Sequence, residues 1–212
     1  MRKIISLNVG KPETLIFDGK EEQTGIGKKP VKELQLTKSI IKGDGVAATE
    51  FHGGEERVVC LYPFEHYAKW EKEYSMKLDI PAFGENLTAT DMLEKDIFIG
   101  DIFSVGSAVI QVTQGRIPCA KISKFNGVNL LSRVVETGFT GYFFRVLEEG
   151  IIHEDSNIKL VERTQEKVSI LHANKVMFHD RSNAKAIEEI LQVKELASVW
   201  KNKLETMLQK IN

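Results

Sequence analysis

Residues 97–113 read Ile97-Phe98-Ile99-Gly100-Asp101-Ile102-Phe103-Ser104-Val105-Gly106-Ser107-Ala108-Val109-Ile110-Gln111-Val112-Thr113. Three short apolar runs, Ile97–Ile99, Ile102–Val105 and Ala108–Thr113, are set apart by the turns Gly100-Asp101 and Gly106-Ser107. Short strands at close, regular spacing with glycine turns predict a β-barrel or a folded sheet rather than a helical protein. The same grammar extends upstream. Ile4-Ile5-Ser6-Leu7-Asn8-Val9 is a strand ended by Gly10, and Val31–Leu36 is partly alternating ahead of a Gly43-Asp44-Gly45 turn. Val58-Val59-Cys60-Leu61-Tyr62 is a continuous apolar run, the mark of a strand buried on both faces. Downstream, Gly141–Leu147 is a further strand, closed by Gly150.

Helices interrupt the strands at Pro63–Tyr74, with Pro63 in the first turn, and at Asn129–Glu136. From about residue 165 the chain carries neither glycine nor proline, and a helical period takes over. Trp200, Leu204, Met207, Leu208 and Ile211 form one apolar stripe, and Ile187, Ile190 and Leu191 a shorter one behind an Asn183 cap. The expected architecture is mainly β with α: a barrel-like domain over residues 1–163 and a small helical appendage over 164–212. Too small to hold a core alone, the appendage docks on the barrel or on another chain.

The chain has 212 residues, 42% hydrophobic and 28% charged, with a formal net charge of −1. That balance suits a globular protein and argues against nucleic acid as the main partner. Two cysteines, Cys60 and Cys119, are too few for a disulfide scaffold. Glycine at position 10 precludes a standard signal peptide, and no apolar run approaches the roughly 20 residues of a membrane span. A cytoplasmic protein with reduced thiols is the expectation.

The strand ending near Thr113 leads into Gln114-Gly115-Arg116-Ile117-Pro118-Cys119-Ala120-Lys121. A thiol between two cations has its thiolate favoured, and can serve as nucleophile, sulfur carrier or soft-metal ligand. A cysteine packed at a strand end is the competing reading, and this segment alone leaves both open. Four loops bring glycine together with polar groups: Thr24–Pro30, Phe51-His52-Gly53-Gly54, Phe83–Thr88 and Thr137–Gly141. Glycine amides approach anions closely, and Lys28, Lys29, Arg116 and Lys121 can add charge, although such loops are more often plain turns. The five histidines show no HxxxH spacing, and CxxC, GxSxG, Walker A and GxGxxG are absent. Zinc, hydrolase, P-loop and dinucleotide chemistry therefore find no support. Cys60, inside an apolar run, reads as an inert core thiol.

Taken in order, these segments resemble the MOSC domain, a family named after the C-terminal region of molybdenum cofactor sulfurases. The matching pieces are Ile5–Gly10, the Thr24–Val31 loop, Gly43-Asp44-Gly45, His52-Gly53-Gly54, Phe83–Leu87, Ile99-Gly100-Asp101 and Arg116-Ile117-Pro118-Cys119. The tail resembles the three-helix domain of a bacterial branch that includes reductases of N-hydroxylated purine bases and amidoximes. The resemblance implies a molybdenum cofactor (molybdopterin) whose metal is held by Cys119, also the catalytic ligand. Lys28, His52, Gly53, Gly54, Asn86, Arg116, Lys121 and Arg145 would surround it. It implies two-electron reduction of a small N-hydroxylated substrate, which leaves as amine or amidine. Pyridoxal phosphate binding and detoxification of N-hydroxylated bases are associated expectations. No ferredoxin-like cysteine segment accompanies the domain, so electrons come from a separate protein. A carrier of the cofactor, or of sulfur as a Cys119 persulfide, is the alternative. A structural thiol with the tail as a homodimer or partner interface is the third reading.

Overall fold

The computed structural model of the chain describes residues 1–45, 47 and 53–211. The chain opens with β1 (Ile4–Val9), β2 (Glu13–Phe17), β3 (Lys20–Thr24), β4 (Lys29–Val31) and β5 (Glu33–Leu36). A single 3-10 turn at Glu55–Arg57 leads into β6 (Val59–Pro63), α1 (Glu65–Tyr74), β7 (Leu87–Ala89), β8 (Ile102–Val105) and β9 (Ala108–Gly115). Then follow α2 (Lys121–Asn126), α3 (Leu130–Thr137), β10 (Tyr142–Glu148), β11 (Gly150–His153) and β12 (Ile158–Glu162). Three helices close the chain: α4 (Ile170–Phe178), α5 (Ala184–Leu191) and α6 (Ser198–Ile211).

Eight strands form one sheet in the order β12-β8-β9-β10-β6-β7-β1-β4. All of its pairings are antiparallel except β6 with β7, the crossover that carries α1. The edge strands β12 and β4 are not paired with each other, so the sheet is barrel-like without closing. A separate β5–β11 ladder joins the chain after β4 to the chain after β10, and β2–β3 is a hairpin. Gly106, at φ +60°, begins the two-residue turn between β8 and β9, as a type II′ hairpin requires.

Strand β6 is buried along its whole length, as its apolar run predicts. Val59 and Leu61 enter the main core, which takes in Ile170, Ile187, Ile190, Trp200 and Leu204 from the last three helices. Tyr62 points the other way, into a second core with Tyr67, Trp70, Phe83, Ile122 and Leu130. The tail stripe therefore docks on this chain's own sheet. Trp200 and Leu204 are fully buried, Met207 and Leu208 partly, and Ile211 emerges at 38% exposure. Asn183 caps α5 by accepting from the Ala186 amide at 3.0 Å.

Two expectations need correction. Ile97–Ile99 is not a strand: Phe98 makes one isolated bridge to Ser169, and the Asp101 carboxylate holds the Phe98 amide at 3.0 Å in a turn. Pro63 does not open the helix; it ends β6 opposite Ala89, because the parallel pairing with β7 continues that far. Among the described residues, no helix is long and apolar enough to cross a membrane.

Since Trp200 has no exposed surface and sits at the junction of helices and sheet, Trp200→Ala should cost roughly 3–5 kcal/mol of stability. Urea denaturation followed by far-UV circular dichroism checks this.

A candidate thiol and cation pocket

On the β6 face opposite Val59 and Leu61, Cys60 and its cross-strand partner Phe143 of β10 help line a cavity of about 390 Å³. The β3–β4 loop (Thr24 to Lys28), the 44–45 turn, Gly53 and Arg57, Gly84 and Asn86, and the chain from Arg116 to Lys124 make its walls. Cys119 is half-buried on that last segment, between β9 and α2. It lies beyond the strand, four residues past Gly115, so the expected strand-end position is shifted into the connection.

One wall is a tightly bonded polar cluster. The Asn86 side chain accepts from the Cys60 amide at 3.1 Å and donates to Asp44 Oδ2 at 2.8 Å and to the Asn8 carbonyl at 3.2 Å. Asp44 also accepts from the Gly10 amide at 2.9 Å and pairs with Lys28. The Lys28 and Asp44 side chains are only 6% and 11% exposed, so each satisfies a charge that burial would otherwise make costly. Gly84, at φ +69°, lets the β3–β4 loop close over this wall, since a Cβ there would come within 3.1 Å of the Ile26 Cα.

The other wall is cationic. Among the described residues, five basic side chains (Lys28, Arg57, Arg116, Lys121 and Lys124) line the cavity against two carboxylates, Glu22 and Asp44. Lys124 pairs with Glu22 and holds that carboxyl below its usual range. Arg116 donates to the Phe83 carbonyl and Lys121 to the Gln23 carbonyl, and neither forms an ion pair with a carboxylate among the described residues. Burial pushes the Arg57 guanidinium below its ordinary value and pushes the Cys60 thiol up. Behind Asn86, the fully buried Glu85 accepts from Tyr67 at 2.5 Å, Thr88 at 2.8 Å and the Phe83 amide at 3.1 Å. Burial raises its carboxyl nonetheless.

Lys28, Gly53, Asn86, Arg116, Cys119 and Lys121 are thus brought to one cavity. Gly54 is next to the lining but not part of it, and His52 lies outside the described residues. Arg145 is not brought there; it binds Glu56 at 3.1 Å and the Glu195 carbonyl at 2.9 Å, facing the helical tail. No sequence motif marks Asp44 as a charge partner, nor Arg57, Lys124 and the cavity-facing Cys60 as lining. The buried-strand pattern around Cys60 pointed to burial but not to which face its thiol lines.

Fold and site together define a class: a β-rich protein whose sheet carries a thiol-bearing cationic pocket on one face and a three-helix unit on the other. The MOSC domain model matches residues 48–159, and the YiiM-like 3-alpha helix domain model matches residues 168–210. The protein named YflK of Bacillus subtilis is 44% identical over 93% of this chain and 90% of its own. The crystal structure of YiiM from Geobacillus stearothermophilus superposes with a TM-score of 0.84 at 34% identity, covering 98% of this chain and all of that one. A protein named reductase from Gibberella moniliformis is 38% identical over 61% of this chain but only 24% of its own length. The chain belongs to the MOSC domain family, in its YiiM-like form with the appended helices, and is a molybdenum-cofactor-related protein. The pyridoxal phosphate expectation finds no support in these likenesses.

Two outcomes are expected. With iodoacetamide, Cys119 should be alkylated ahead of Cys60, which is buried and whose thiolate is disfavoured; peptide mass mapping separates the two. A raised Glu85 carboxyl keeps its proton in the folded chain after the unfolded chain has lost its own near the ordinary 4.5. Its contribution to stability is full below that pH and is lost as pH rises through the raised folded value. Urea titrations should therefore show wild type losing stability relative to Glu85→Gln as pH climbs above 4.5.

Proposed function

We propose that this chain is a molybdenum-cofactor-dependent reductase of N-hydroxylated bases or related N-oxygenated compounds, with Cys119 as the metal ligand. One observation carries the reading: the half-buried Cys119 thiol shares a single cavity with Arg116 and Lys121, which bond to the Phe83 and Gln23 carbonyls. The donor set fits the cofactor. A thiolate is a soft ligand suited to a heavy transition metal, and a phosphate-bearing pterin calls for cations and open backbone amides. When bound, the cofactor supplies two-electron reduction of an N–O bond.

The chain's own residues do the rest. Cys119 anchors the metal, Arg116 and Lys121 hold the anionic end, and the Asn86–Asp44–Lys28 cluster keeps the opposite wall rigid. Gly53 keeps its proposed place beside the cofactor, and so do Gly54 and His52. Arg145 is reassigned to supporting the Glu56 turn behind Arg57. The substrate takes up two electrons and two protons, releasing amine or amidine and water. The electrons come from a separate donor protein. Detoxification of N-hydroxylated bases in the cytoplasm is the accompanying role. Residues 1–163 form the cofactor unit and 164–212 the appended one.

Molybdenum per chain, measured by elemental analysis on protein from cofactor-competent cells, tests this. Near-stoichiometric metal is expected in wild type, with loss in Cys119→Ser. Metal missing from both, in cells that load another molybdoenzyme, overturns the reductase and leaves a Cys119 sulfur carrier as the working function.

A further inference from the structure

Helices α4 and α6 bond to chain segments that adjoin two walls of the cavity. On the first flank, the fully buried Asn174 of α4 donates to the Gly138 carbonyl at 2.7 Å and to Thr140 Oγ1 at 2.9 Å. Thr140 Oγ1 in turn donates to the Gly141 carbonyl at 2.7 Å, and that same carbonyl accepts the Arg116 amide at 3.0 Å. Arg116 opens the four-residue run that ends in Cys119. Just before it, Gly115 is pressed against the helices. A Cβ there would come within 2.0 Å of Asn174 Oδ1 and 3.1 Å of Trp200 Cζ2. The backbone that presents the thiol is thus seated on α4 and α6.

On the second flank, Glu56 lies in the turn between Gly53 and β6. Its carboxylate accepts from the Ser198 amide at 2.8 Å and the Ser198 hydroxyl at 2.5 Å, at the start of α6. The neighbouring Arg57 lines the cavity. The bonds that involve the helices tie residues 34 to 142 positions apart along the chain, and none of these is supplied by the sheet.

We propose that the appended helices are a brace for the cavity, with Asn174 and Glu56 as positioning residues for Arg116–Cys119 and for the Gly53–Arg57 wall. The proposal rests on this cavity being the working site, as proposed above, but not on which cofactor fills it. Asn174 acts through Thr140 and the Gly141 carbonyl, setting where the Arg116 amide sits and so how far Cys119 can swing out. Glu56 fixes the opposite wall by gripping the first residue of α6.

The test uses the metal-free full chain. Iodoacetamide labelling of Cys119, read by peptide mass mapping, is compared with amide hydrogen exchange over residues 115–121. Thr140→Val keeps the shape and removes the hydroxyl; Thr140→Ser keeps the hydroxyl. Thr140→Val and Asn174→Ala should raise both rates by about fivefold or more with far-UV circular dichroism unchanged, and Thr140→Ser should restore the wild-type rates. Ser198→Ala, at an exposed position where folding is not at risk, should likewise speed exchange over residues 53–57. Rates equal to wild type in Thr140→Val and Ser198→Ala, or a Thr140→Ser protein that behaves like Thr140→Val, would overturn the brace. Molybdenum content measured on the same variants reports on the reductase separately, because the labelling needs no metal.

Discussion

Strand β6 has no solvent face, and this constraint shapes everything around it. A sheet whose central strand is apolar on both sides must be covered twice, since leaving either side wet forfeits about 25 cal/mol for each Å² of apolar surface. The chain meets this with two groups of helices of different origin. Helices α1, α2 and α3, inserted between strands, build a core around Tyr62, Trp70 and Phe83 on one side. Helices α4, α5 and α6, added after the last strand, close the other side around Trp200 and Leu204. The cavity opens where the first covering stops short, leaving Cys60 and Phe143 as its floor.

This placement explains the pocket's electrostatics. A floor made from a buried strand offers only backbone and a thiol whose ionisation burial opposes. Charge must come from the loops around it. Two of those charges, Lys28 and Asp44, are nearly buried, and their mutual attraction with the Asn86 and Gly10 hydrogen bonds offsets a desolvation cost of several kcal/mol for each ion. Arg116 and Lys121, which bond to backbone carbonyls, are on the segment that carries Cys119, so thiol and positive charge arrive together.

Much of this was legible along the chain. Ile4–Val9 and Ile102–Val105 are strands with the ends their patterns predict, and the Asn183 cap and Trp200 stripe are where helical spacing puts them. The β2–β3 hairpin has the Asp18-Gly19 turn, both residues at positive φ, but no strand pattern that matches on its two sides. β3 is wholly polar, and only one partner of the pair therefore carries an apolar run. Ile97–Ile99 failed the opposite way: its apolar run reflects burial against α4 rather than pairing, and periodicity cannot separate the two over three residues. At the pocket, the glycine loops and the Arg116–Cys119 run stand out in the sequence because their residue types carry chemistry. Asp44 reads in the sequence only as a turn residue, and nothing local shows that Arg145 pairs with Glu56.

By itself the sequence determined the β-rich class, the two-sided burial of β6, the helical tail and the order of motif segments that marks the family, because each is a local pattern of side-chain character. Tertiary structure alone decided which loops meet. Asn8, Asp44, Cys60 and Asn86 become neighbours only when β1, β6 and β7 pair, and Gly115 becomes the seat of two helices only when the tail docks. Such contacts join residues dozens of positions apart, and their partners are set by strand register and helix packing, which no local run of residues records.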